Sequence, residues 1–148
     1  EAFSVGEDCF VETDWAIPHG GRMSAVYFIR LDLIDEDGNV LDENLYWRYS
    51  QHQNYSWLVN QPKVDLNPQM TVKDAGKEYD ITVTLTNDSQ NVSFFNHMMI
   101  RRSDTGEVVN PVFWEDNFIT LFPGESKTIH AFVAKEDMMG EVPVLDIE

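Results

Sequence analysis

Apolar and polar residues alternate in short runs along most of this chain. Tyr79, Ile81, Val83 and Leu85 interleave with Asp80, Thr82, Thr84 and Thr86, the pattern of a strand with one dry and one wet face. Asn87-Asp88-Ser89 ends that run. Val92 to Arg102 reads as a second strand, Thr105-Gly106 as a hairpin turn and Glu107 to Val109 as its short return, with Pro111 stopping further pairing. Phe118 to Phe122 predict another strand, Pro123-Gly124-Glu125-Ser126 a turn, Thr128 to Ala134 a longer strand and Val142 to Ile147 the last. With an opening strand at Val64 to Val72 the count reaches about seven, enough to close an antiparallel, immunoglobulin-like β-sandwich over residues 62–148. Helical periodicity is nearly absent, so the fold class is all-β.

The first 61 residues offer fewer strands: Cys9 to Asp14, Ser24 to Ile34 and Val40 to Tyr49, the last two joined by a turn at Asp37-Gly38-Asn39. Three strands have an inner face, set by Tyr27, Ile29, Leu31 and Leu33, that they cannot cover by themselves. The hairpin from Val26 through Asp37-Gly38 to Trp47 is echoed by Phe94 through Thr105-Gly106 to Trp114. Residues 1–61 are accordingly read as the end of a preceding sandwich plus a linker, and the whole as an excised piece of a longer protein.

Charge narrows the partners. Twenty-six acidic against ten basic residues give a formal charge of −16, which repels phosphate backbones and anionic headgroups and argues against nucleic acid and membrane surfaces. A hydrophobic content of 43% supports a packed core. Cys9 is the only cysteine, so no internal disulfide forms, and Glu7 and Asp8 beside it disfavour a thiolate nucleophile. No run approaches the ~20 apolar residues of a membrane helix, and the opening residues lack the basic and apolar regions of an export signal.

Candidate chemistry is sparse. The acidic groups Asp35-Glu36-Asp37 and Glu115-Asp116 fall in turns, where water keeps carboxylates ionised and unfit as general acids. Asp35-x-Asp37-Gly38 matches the start of a calcium loop, but the flanking alternation makes it a hairpin turn. His19, His52, His97 and His130 lack zinc-site spacing, and no cofactor is implied. The sequons at Asn54, Asn87 and Asn91 fall in predicted turns and are read as unmodified. Aromatics remain as contact candidates. Tyr55 and Trp57 sit in a polar run and either stack on a sugar or wedge a contact between domains, the wedge being favoured because Trp prefers burial. Trp114 either caps the core or meets a neighbouring domain, with Trp47 as its counterpart.

The segment Asn110-Pro111-Val112-Phe113-Trp114-Glu115-Asp116-Asn117-Phe118-Ile119-Thr120-Leu121-Phe122-Pro123-Gly124-Glu125-Ser126 resembles the last sandwich of family 2 glycoside hydrolases of the β-mannosidase and exo-β-glucosaminidase type, where Trp-Ser-Asp-Asn, a strand and Pro-Gly-Glu-Ser recur. Glu115 stands where the family usually has serine. Leu45-Tyr46-Trp47 and Asn60-Gln61-Pro62 resemble the segments that close the preceding sandwich and open the last. The resemblance implies a chain lying wholly after the catalytic (β/α)8 barrel, and no position here matches either catalytic glutamate motif. The implied role is a non-catalytic accessory region packed on other domains of a periplasmic or secreted enzyme. The rival readings are a carbohydrate-binding module for oligosaccharide and an adhesion sandwich. The uncovered hairpin also predicts a dimer of the isolated chain.

Overall fold

The computed structural model describes residues 26–49 and 55–148. The chain divides into two compact units, Glu1–Asn60 and Gln61–Glu148. In the first, β1 (Val26–Ile34) and β2 (Val40–Tyr49) form an antiparallel hairpin. Its turn is closed by Asp35, whose carboxylate accepts the amides of Asp37 and Asn39 at 3.0 and 2.7 Å and the Asn39 side chain at 2.8 Å. Gly38 there adopts φ 87°, a left-handed geometry that favours glycine. Val26 is buried, but Leu31 and Leu33, expected on an inner face, are 55% and 61% exposed. Among the described residues, then, the far half of the hairpin has no cover. The expected strand at Cys9 to Asp14 lies outside the described residues. A short helix, α1 (Ser56–Val59), follows.

The second unit is an antiparallel sandwich. One sheet runs β3 (Gln69–Asp74), β4 (Glu78–Thr86), β9 (Ser126–Ala134), β7 (Phe113–Trp114). Across from it lie two pairs: β6 (Met98–Arg102) with β10 (Pro143–Ile147), and β5 (Ser93–Asn96) with β8 (Ile119–Leu121). Alternation on β4 works as the sequence predicts. Ile81, Val83 and Leu85 are at most 1% exposed and pack with Ile100, Ile129, Val133 and Met138 in one core. Complete burial of such side chains stabilises the fold by about 1.5–3 kcal/mol each.

Several boundaries differ from the sequence reading. The opening strand begins at Gln69, not Val64, because Leu66 turns inward and its carbonyl accepts the Thr86 amide at 2.7 Å instead of joining the ladder. The run Val92 to Arg102 is two strands, not one. At Phe95 the backbone is left-handed (φ 59°), and the chain leaves β8 to pair with β10. The return at Glu107 to Val109 shrinks to a single bridge, Arg101 to Val108. Pro111 does not end pairing for long, since Phe113 and Trp114 align with Phe132 and Ala131. One turn of helix, α2 (Lys135–Met138), follows β9 and seats Met138 in the core.

Candidate functional site

Asparagine side chains close the sandwich where its ladders stop. Asn87 is fully buried: its Nδ2 donates to the carbonyls of Asn91 and Leu121 at 2.8 Å, and its Oδ1 accepts from the Ser89 amide and hydroxyl. Asn96 donates to the Ile119 carbonyl and accepts from the Ser93 hydroxyl. Asn117 takes the place of a ladder residue, accepting the Met98 amide at 2.8 Å and donating to the Met98 carbonyl at 2.9 Å. Its neighbour Asp116 pairs with Lys127 at 2.6 Å. In the following turn Gly124 has φ 81°, and Glu125 accepts the Phe122 amide at 2.8 Å. The motif residues are therefore frame, not chemistry.

Two surfaces carry exposed aromatics. On one, Phe95 and Phe118 have left-handed backbone (φ 59° and 56°), an uncommon state for bulky side chains, yet both are nearly half exposed. Their rings lie 5.1 Å apart, and His97 stacks on Phe118 at 4.4 Å.

The other is an open groove of about 690 Å³ on the outer face of the β3-β4-β9-β7 sheet. Register places its side chains in rows. Lys73, Asp80, Phe132 and Phe113 form one row, and Thr71, Thr82 and His130 the next, with Glu115 beside His130. Phe113 and Phe132 stack at 4.7 Å with 14° between their planes. Thr82 Oγ1 lies 3.2 Å from His130 Nδ1, and Thr84–Thr128 and Thr86–Ser126 hydroxyl pairs continue the polar face.

The structure treats the predicted residues differently. Tyr55, at the start of α1, meets the Tyr49 ring edge-on at 5.3 Å and stays 37% exposed. The Trp57 side chain lies outside the described residues. Trp114 is half-buried against the core and also lines the groove, where the structure brings it to Phe113 and Phe132. Sequence reasoning missed Phe113, Phe132 and His130 as a group, since only strand register joins them.

No carboxylate with a resolved shift behaves as a general acid. Asp35 is held below its usual range chiefly by the Asn39 side chain, Asp74 by Lys135, and Glu141 by the Thr105 amide. Among the described residues no group of three or more His, Cys, Asp or Glu side chains is placed to hold a metal ion, and no helix is long and apolar enough to cross a membrane.

Residues 44–148 match the model of the exo-β-D-glucosaminidase Ig-fold domain. The chain belongs to this family. The exo-β-D-glucosaminidase of Arthroderma benhamiae is 34% identical over 115 residues, covering 68% of this chain and 13% of that protein. That of Hypocrea jecorina is 32% identical over 126 residues, covering 70% and 14%. The crystal structure of the Amycolatopsis orientalis exo-chitosanase CsxA superposes with a TM-score of 0.77 at 25% identity, covering 89% of this chain and 18% of that one. The chain thus spans about a seventh of the curated relatives' length. These relatives carry the glucosaminidase name, and none of them carries the β-mannosidase name that the sequence resemblance also suggested. As a member of the exo-β-D-glucosaminidase Ig-fold family, the chain places its Trp-x-Asp-Asn and Pro-Gly-Glu-Ser residues in the asparagine-closed frame described above.

Proposed function

We propose that this chain is a non-catalytic accessory region of a family 2 exo-β-D-glucosaminidase, acting outside the cytoplasm and stabilising the enzyme by packing against its other domains. The glucosaminidase branch is preferred to the β-mannosidase branch because the relatives bear that name. On this reading residues 1–61 end a preceding sandwich and residues 62–148 are the terminal one.

The observation that carries the packing role is the Phe95–Phe118–His97 strip. A left-handed backbone costs a non-glycine residue about 1–2 kcal/mol, and here two such positions present aromatic rings to water. Strain of that kind persists where a surface is used. In the relatives more than four-fifths of the protein lies outside the matched segment, which is chain enough to supply a covering domain.

Two measurements test the reading. The purified chain should release no p-nitrophenol from p-nitrophenyl β-D-glucosaminide, and measurable turnover would end the accessory assignment. In the parent enzyme, Phe118→Asp should lower the melting temperature by more than it does in the isolated chain. An equal change in both would remove the strip from the interdomain contact.

A further inference from the structure

We infer that the groove on the outer β3-β4-β9-β7 face is a non-catalytic site for a β-linked glucosamine oligosaccharide, a ligand whose protonated amines make it a polycation. The inference rests on the glucosaminidase reading for its ligand and on the groove's own geometry for its place.

Three features fit that ligand together. The first is size: about 690 Å³ lies within the ~300–1,000 Å³ range of small-molecule sites, and the groove is open along the sheet, as a chain ligand requires. The second is an apolar floor. Phe132 and Phe113 stack in one row and remain 43% and 54% exposed, a platform for the C–H faces of a pyranose and for ammonium groups near an aromatic ring. The third is the distribution of charge and hydrogen-bonding groups around that floor. Asp80 lies one strand from Phe132 on β4, and Glu115 follows β7 on the other side of β9. With strands ~4.8 Å apart, the two carboxylates straddle β9 with about 10 Å between their strands, the span of one to two sugar units. Thr82 Oγ1 engages His130 Nδ1, and the ring so held lines the groove as a polar partner for a ligand hydroxyl. Among the described residues Lys73, across from Asp80 on β3, is the one lysine or arginine lining the groove; it offsets part of the Asp80 charge, so the Glu115 side of β9 is the stronger position for an ammonium.

Charge decides among sugars. A neutral oligosaccharide would use only the platform and hydroxyls, whereas an amino sugar also gains the carboxylates and the field of a chain of net charge −16. Each exposed ion pair strengthens binding by only about 1.4- to 5-fold, so discrimination is modest and sensitive to salt.

The test is titration of the ¹⁵N-labelled chain with three trimers: fully deacetylated β-1,4-glucosamine, its fully N-acetylated form, and cellotriose. The glucosamine trimer should shift the amides of β4, β7 and β9 and bind most tightly. Asp80→Asn with Glu115→Gln should weaken it about two- to thirtyfold while leaving cellotriose unchanged. Phe132→Ser should weaken all three. Equal affinity for the three trimers, shifts confined to residues outside the sheet, or a folded spectrum that none of them perturbs would each overturn the site. If the parent enzyme still hydrolyses β-D-glucosaminides in that last case, only the site fails and the family reading stands. A parent without such activity removes the reading itself.

Discussion

Asn87 offers the sharpest test of how this sandwich is held. It is completely buried at the end of β4, and its side chain makes four hydrogen bonds while its backbone exchanges two more with Glu125 and Gly124. Replacing it with Asp keeps the shape and the acceptor that Ser89 uses. It removes both donors and places a carboxylate against the carbonyls of Asn91 and Leu121. Two lost bonds cost about 0.5–1.5 kcal/mol each, and a buried acceptor left without a partner adds about 1–3 kcal/mol, for a total of about 2–6 kcal/mol. That is a large share of the ~5–15 kcal/mol that stabilises a typical domain. The penalty also depends on pH. With no cation at the site the new carboxyl is protonated more readily in the folded than in the unfolded chain, so its folded pKa lies above the unfolded value near 3.9. The folded state then binds more protons, and the variant loses stability as pH rises through that interval. Urea denaturation followed by tryptophan fluorescence should show a deficit for Asn87→Asp that widens from roughly pH 4.5 to pH 7. A deficit below about 1 kcal/mol, equal at both pH values, would show that Asn87 is not the closure described here.

Further outcomes follow from the same geometry. Asn117→Ala removes the bonds to the Met98 amide and carbonyl and to the Phe118 amide, and should cost about 2–3 kcal/mol by chemical denaturation. Phe118→Asn, better suited to a left-handed backbone, should leave the isolated chain as stable or up to about 1 kcal/mol more so, while lowering the melting temperature of the parent enzyme. Asp35, Asp74 and Glu141 all have folded pKa values below their unfolded 3.8 or 4.5. Their stabilisation is therefore present above those values and lost as pH falls through the folded ones. The melting temperature should decline as pH falls through the carboxylate range, and Glu141→Gln should lie below the native protein at pH 6 but converge with it once the pH is below the folded value of Glu141. The exposed Leu31, Leu33, Val40 and Leu41 on the β1–β2 hairpin should produce self-association detectable by light scattering, and Leu33→Lys should reduce it.

Strand alternation was legible wherever one face is wholly dry. Ile81, Val83 and Leu85 on β4, and Ile129, Ala131 and Val133 on the paired β9, could be assigned inward from period two alone, and all are buried. The break within Val92 to Arg102 was not. Its left-handed residue is Phe95, and nothing in the propensity of phenylalanine announces a reversal of sheet. Asn96 and His97 in the middle of an apolar run were the available hint. Exposure at the hairpin tip was illegible for a related reason, since alternation states which face is apolar and not whether anything covers it. The groove depends on Lys73, Asp80, Phe132 and Phe113 coming into one row from four strands, and only the paired register shows it.

The asparagines explain why the recognisable part of the sequence says little about ligands. A primary amide carries a donor and an acceptor in the same disposition as a peptide group, so it can complete a ladder where the backbone has already turned away. Asn117 does this beside Met98 as β6 begins, Asn96 at the point where the chain leaves β8, and Asn87 where β4 ends. Buried polar groups must be satisfied, and each of these positions accepts few substitutes because the alternatives lack one half of the pair. Glu125 and Gly124 meet similar demands in the turn before β9. Such constraints hold the frame of an Ig-fold domain whatever its surfaces do. The outer faces answer to no comparable demand from the fold, because Phe113, Phe132, Phe95 and Phe118 could all be polar without disturbing the core. Exposed aromatic rings at positions where packing does not require them are best accounted for by what the faces touch, and that is why the two functional readings rest on the sheet exteriors instead of the signature residues.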